Sequence, residues 1–126
     1  MLTMPITITN IEKTIYKATF NDFTEKELTN FITEYKDIYN NSTDKLYFIF
    51  CTLSLSNISP RNVILLTLFI ENMKPIHRIH LEKFAIIVYS NTIFNILNGV
   101  FAVVKPVRPY KIVNTYEEAI SYTNDH

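Results

Sequence analysis

The last third of the chain alternates two short β-rich runs with two helical patterns, and that order leaves few folds open. Phe84-Ala-Ile-Ile-Val-Tyr89 is an unbroken apolar run of strand length, Asn91 to Val104 repeats its apolar residues at helical spacing, Tyr110 to Val113 is a second strand, and Thr115 to Tyr122 is a closing helix. Two strands joined through a helix of that length run parallel, since the crossover returns the chain to the end where the first strand began. Parallel strands are found in sheets covered on their faces, which explains why Phe84 to Tyr89 shows no polar alternation.

The boundaries of these elements carry their own signals. Ser90 precedes Asn91 as an N-cap, and Ile93, Phe94, Ile96, Leu97, Val100, Phe101 and Val104 give the following helix a wide apolar face. Gly99, the single glycine of the chain, falls inside it and reads as a close helix contact or as an early end near Asn98-Gly99. Pro106 and Pro109 bracket the connection to Tyr110, and Thr115-Tyr-Glu-Glu118 is a capping box for the last helix.

The same grammar extends upstream. Ile6 and Ile8 alternate with Thr7 and Thr9, and Ile15 to Phe20 repeats a half-polar β pattern after Glu12-Lys13, which predicts a hairpin. Thr24-Glu-Lys-Glu27 is a second capping box, and Leu28, Phe31, Ile32, Tyr35 and Tyr39 share one face of the helix it opens. Asn40 to Asp44 interrupts that helix, and Leu46 to Leu53 reads as a central strand covered on both sides. Ser59-Pro60 starts a helix over Val63 to Met73, and Pro75 is expected to end it, leaving His77 to Lys83 as an exposed connector. The resulting order, ββαβαβαβα, predicts a single α/β domain over residues 1–126 with a mixed, mostly parallel sheet flanked by helices.

Composition narrows function by exclusion. With 126 residues, 48% hydrophobic and 19% charged, the chain suits one folded domain. Twelve basic and twelve acidic residues cancel, so no net field draws in a polyanion, and nucleic acid is not expected as a partner. Lys105, Arg108 and Lys111 read as a solvated basic loop. Cys51, the one cysteine, sits in the apolar run Leu46 to Cys51 and reads as a small buried hydrophobe in a reducing compartment. Met1 to Pro5 lacks a secretory pattern, and no apolar run approaches the roughly 20 residues that span a bilayer, so stable membrane insertion is not expected and a cytoplasmic location is.

One glycine also excludes the Gly-rich loops that bring a backbone against phosphates in P-loop and dinucleotide-binding proteins. His77, His80 and Glu82 have the residue types of a metal site, but an extended connector would turn positions three apart to opposite faces. His126 lies in a tail, and Glu117-Glu118 suits a helix start better than acid–base work. Tyr16, Phe20 and Phe23 are not interleaved with Lys or Arg as in an RNA-binding surface. No catalytic residue, cofactor or metal is therefore expected, and the chain does not read as an enzyme. The remaining candidate is the loop Ser54 to Arg61, which follows the central strand and precedes a helix N-terminus, where open α/β sheets place their ligands. Ser54, Ser56 and Ser59 offer hydroxyls there and Arg61 a charge, a set suited to a phosphate or a partner.

With these residues in view, the chain resembles the STAS domains, the fold of sulfate transporters and anti-sigma-factor antagonists, in particular the SpoIIAA-like branch. The likeness rests on Leu46 to Ser56 as central strand, Glu82 to Tyr89 as the next, and Tyr110-Lys-Ile-Val-Asn-Thr-Tyr-Glu-Glu-Ala-Ile120 as the closing strand, turn and helix. In the antagonists the loop carries Asp-x-Ser and then Asp-Ser-Ser/Thr-Gly, whose hydroxyl a partner kinase phosphorylates. The matching positions here are Thr52-Leu-Ser54 and Ser59-Pro-Arg-Asn62, without the acidic residues or the glycine. The resemblance thus implies a non-enzymatic regulatory or protein-interaction module that lacks the phosphorylation motif. Two other readings stand beside it: a carrier of a small apolar ligand or lipid enclosed by the Ile93 to Val104 helix and the sheet, and a homo-oligomeric structural subunit joined through exposed Tyr and Phe.

Overall fold

A computed structural model describes residues 6–21 and 24–124. Ile6–Glu12 (β1) and Ile15–Phe20 (β2) form the antiparallel hairpin, with Ile6 opposite Phe20 and a register shift between Asn10 and Glu12. Asn10 closes the turn, its side-chain amide donating to the carbonyls of Glu12 and Ile15. From β2 onward the strands Leu46–Cys51 (β3), Leu81–Ile87 (β4) and Tyr110–Val113 (β5) are all parallel, and the sheet order is simply β1-β2-β3-β4-β5. The helices Glu25–Asn40 (α1), Pro60–His80 (α2), Asn91–Val103 (α3) and Tyr116–Asn124 (α4) complete the order ββαβαβαβα.

Strand alternation divides the sheet into two unequal faces. Ala18, Phe20, Phe48, Phe84 and Ile86 turn toward α1, α2 and α3, while Ile15, Ile49, Ala85, Ile87 and Val113 turn toward Ala119 of α4. Three successive crossovers, each moving one strand along, leave their helices on the same face, as a constant crossover hand requires. Both faces of β3 are covered, which accounts for its continuous apolar sequence.

The caps follow the sequence closely. Thr24, Ser59 and Ser90 each accept a hydrogen bond from the backbone N–H three residues on, and Thr115 accepts from the Glu118 N–H while donating to the Glu118 carboxylate at 3.1 Å.

Three expectations need correction. Pro75 does not end its helix: α2 continues through it to His80. The ring removes one N–H donor, but Pro75 is exposed, so water reaches the carbonyl that loses its partner, while buried Met73 and half-buried Ile76 and His77 hold the flanking turns. His77 and His80 accordingly lie on a helix, three apart on one side, and both rings approach Tyr39. The third correction concerns Gly99, which neither ends α3 nor makes a close contact. The helix runs on to Val103, and a Cβ at Gly99 would meet nothing within 4 Å. Phe23 and His126 lie outside the described residues.

Gly99→Ala is therefore expected to stabilise the protein by about 0.5–1 kcal/mol, since alanine loses less backbone freedom in a helix and has room here. Urea denaturation checks this; an unchanged or lower midpoint contradicts the open helical environment.

Candidate functional site

The carboxyl ends of β3 and β4 meet in a network that fixes the predicted loop. Thr52 is buried, and both its N–H and its hydroxyl donate to the Ile87 carbonyl, at 3.0 and 2.7 Å. The chain then turns, with Leu55 N–H bonded to Thr52 O, and sinks Leu55 and Ile58 into the core. Those two apolar anchors hold the loop down and leave its polar residues outside. Ser90, at the end of the β4–α3 connection, donates to Ser56 O at 3.4 Å and so links the two connections.

The predicted site residues have separate roles in this frame. Ser54 and Ser56 have exposed side chains. Ser59 is occupied as the N-cap of α2, accepting from Asn62 N–H at 3.3 Å. Arg61 turns to α1, where its guanidinium pairs with Glu25 at 3.0 Å. Both side chains of that pair are mostly exposed, so it contributes little to stability. The four residues thus share one edge of the molecule without converging on a single point. Beside them are three apolar side chains that the sequence pattern placed in covered strands or on the apolar face of a helix and that are instead exposed: Leu53 and Tyr89, because β3 and β4 end at Cys51 and Ile87, and Phe94 in the first turn of α3. Tyr89 is 78% exposed, unusual for a tyrosine next to a buried strand.

Deeper on the three-helix face is a polar chain buried in aromatics. Tyr35 hydroxyl lies 2.7 Å from Tyr39 hydroxyl and 2.8 Å from His77 Nε2. Donation from Tyr39 to Tyr35 and from Tyr35 to His77 Nε2 gives both hydroxyl protons an acceptor, with the imidazole accepting at Nε2. Burial pushes both tyrosine hydroxyls well above the usual phenol range and, by penalising the imidazolium, pushes His77 down to about 4. His77 is therefore neutral at pH 7. The sequence signal for this chain was present in Tyr35 and Tyr39, two hydroxyls one turn apart on an apolar face, which need a buried partner; reading His77 as part of an exposed connector hid it.

Next to this chain, α2 and α3 stand apart over β3 and β4 and leave a partly open cleft of about 90 Å³. Phe50, Phe84 and Ile86 form its floor, Phe69 and Ile70 line the α2 wall, and Leu97 and Phe101 line the α3 wall. Lys74, paired with Glu71 at 3.0 Å, is its one charged lining residue. The basic residues of the α3–β5 connection form no comparable site: Arg108 donates to Glu82 O at 3.1 and 3.2 Å. Among the described residues no group of three His, Cys, Asp or Glu is placed to hold a metal, and no helix is long and apolar enough to cross a membrane.

Fold and site together define an α/β protein with one mostly parallel sheet, a hydroxyl-rich loop at its carboxyl edge and an apolar cleft beneath three helices. No protein-family model matches the chain, and a search of curated proteins returns no significant match.

Neutral, buried His77 makes stability pH-dependent. Its folded pKa of about 4 lies below the unfolded value of 6.5, so between them the unfolded chain binds more protons, and stability falls as pH drops through that window. The His77 contribution is fully present above pH 6.5, and about 3 kcal/mol of it is lost by pH 4. Denaturation at pH 7 and pH 4 is expected to show a smaller acid loss in His77→Gln than in the parent; equal losses contradict a buried neutral imidazole.

Proposed function

We propose that the protein is a non-enzymatic, STAS-like interaction module that docks a protein partner at the carboxyl edge of its sheet, around Ser54, Ser56, Ser59 and Arg61. The observation that carries this reading is the exposure of Leu53, Tyr89 and Phe94 around that loop. Clustered apolar side chains with a polar rim characterise protein-binding surfaces. Element order and sheet arrangement support a SpoIIAA-like scaffold, with helices stacked along one face and the working loops at the strand ends. Regulation in this reading proceeds by occupancy of the edge. Ser59 is already committed to capping α2, and Arg61 to Glu25, so neither is poised over a phosphoserine. The edge is reached from solvent in the cytoplasm, and its partner is another protein that offers an apolar segment to Tyr89 and Leu53.

Site-specific photo-crosslinking in producing cells tests this. A photoreactive residue at position 89 or 56 is expected to capture one and the same protein, whereas the same residue at position 34, on α1 away from this edge, captures none. Tyr89→Asp is expected to weaken the interaction with that protein at least tenfold without lowering the melting temperature. Capture of only the chain itself would point to self-association, and capture equal at position 34 would remove the edge from the account.

A further inference from the structure

We infer that the solvent-facing stripe of α2 is a dimer interface, in which two copies of the chain pack this helix antiparallel about a two-fold axis between Glu71 and Asn72. This surface is separate from the docking edge and does not rest on it. Phe69 and Met73 turn one side of α2 into the core, and a surface helix normally carries polar residues on the other. Every exposed position of α1 follows that rule. On α2, however, Ile64, Leu68 and Ile79 are each more than half exposed, and Pro75 is exposed between them. Ile64, Leu68, Pro75 and Ile79 stand at i, i+4, i+11 and i+15, which places all four on one side of the helix over about 22 Å.

The spacing of the stripe identifies its occupant. It is the same from either end: Ile64 and Ile79 lie equally far from the midpoint, as do Leu68 and Pro75, and Glu71 and Asn72 flank it. A two-fold axis there sets Ile64 against Ile79 of the second copy and Leu68 against its Pro75, so apolar residues meet along the length of the contact. Glu71 meets Asn72 at the centre. Pro75 supplies no N–H to the Glu71 carbonyl, and that acceptor lies on the same side of the helix as Pro75, where the second copy brings its Asn72 amide as a donor. Charge agrees with this pairing. Glu71 bonds to Lys74 at 3.0 Å on its own helix, and the two-fold axis brings the second copy's Lys74 to about 3 Å from Glu71 along the helix axis, so each carboxylate stands between two ammonium groups. A bilayer would take Glu71 and Asn72, in the middle of the stripe, out of water without offering either a new partner. A single helix pair is a contact at the low end of specific interfaces, so the dimer forms in the micromolar range.

Sedimentation velocity of the full chain and oxidative cross-linking of single-cysteine additions, with the parent as blank, test the inference. A concentration-dependent monomer–dimer equilibrium is expected, which Leu68→Glu, or Ile79→Glu should the first variant not fold, weakens at least tenfold at an unchanged melting temperature. Asn72→Cys is expected to cross-link with itself. Ile64→Cys is expected to cross-link with Ile79→Cys in a mixture, and neither alone, since the antiparallel arrangement holds like positions about 22 Å apart along the axis. A chain that stays monomeric at several hundred micromolar would overturn the inference. So would a Leu68→Glu variant that dimerises like the parent, or Ile79→Cys cross-linking alone as readily as with Ile64→Cys. Binding of a monomeric parent, but not of Leu68→Glu, to phosphatidylcholine–phosphatidylglycerol vesicles would give the stripe to a membrane surface and overturn it as well.

Discussion

The hydroxyl of Tyr35 is the point on which the three-helix face of the sheet depends. It belongs to α1, bonds to Tyr39 on the same helix and to His77 on α2, and its ring packs edge-on against Phe48 at 4.7 Å from the central strand. One side chain thereby connects two helices and the sheet. A hydroxyl so deeply buried costs several times more unpaired than it gains paired, so the bond fixes where α2 can lie relative to α1 more firmly than apolar contact alone would. Phe31 and Phe69 extend the same packing between the two helices, with ring centroids 5.9 Å apart.

With α1 and α2 joined in this way, α3 is left to approach over β4 and β5. Its Phe101 meets Tyr110 at 4.9 Å, toward the β5 edge of the sheet, and the space between α2 and α3 remains as the cleft. The opposite face is simpler. Short α4 covers β3, β4 and β5 through Ala119, with Lys83 lying 4.5 Å above the ring of Tyr122 and Lys17 5.1 Å above that of Tyr116. Structural packing is thus concentrated at the middle of the sheet, and the carboxyl edge is left to loops held by a few anchors such as Leu55 and Ile58.

Much of this architecture was legible in sequence because local signals agreed with the global fold. Four Ser or Thr caps stand where they were expected, strand Tyr110–Val113 has its predicted bounds, and the unbroken apolar run of β3 reflects two covered faces. The signals that misled were single residues whose usual meaning was overridden by tertiary context. Proline ends a helix when nothing else holds the next turn, and here Met73, Ile76 and His77 do. Glycine at position 99 suggested a contact, but contacts are set by neighbours that periodicity does not name. The candidate loop was placed correctly at a strand end, while Leu53, Tyr89 and Phe94 beside it were read as buried and are exposed, since exposure depends on where the strands and helices end. The Tyr35–His77 pair spans 42 positions and required knowledge that α2 reaches His80.

A double-mutant cycle between Tyr35→Phe and His77→Phe, measured by urea denaturation at pH 7, tests the organising role of this bond most directly. The two substitutions are expected to be non-additive by about 1–3 kcal/mol, as for groups sharing one buried hydrogen bond. Additivity to within about 0.5 kcal/mol would contradict it, and would leave the placement of α2 to apolar packing alone.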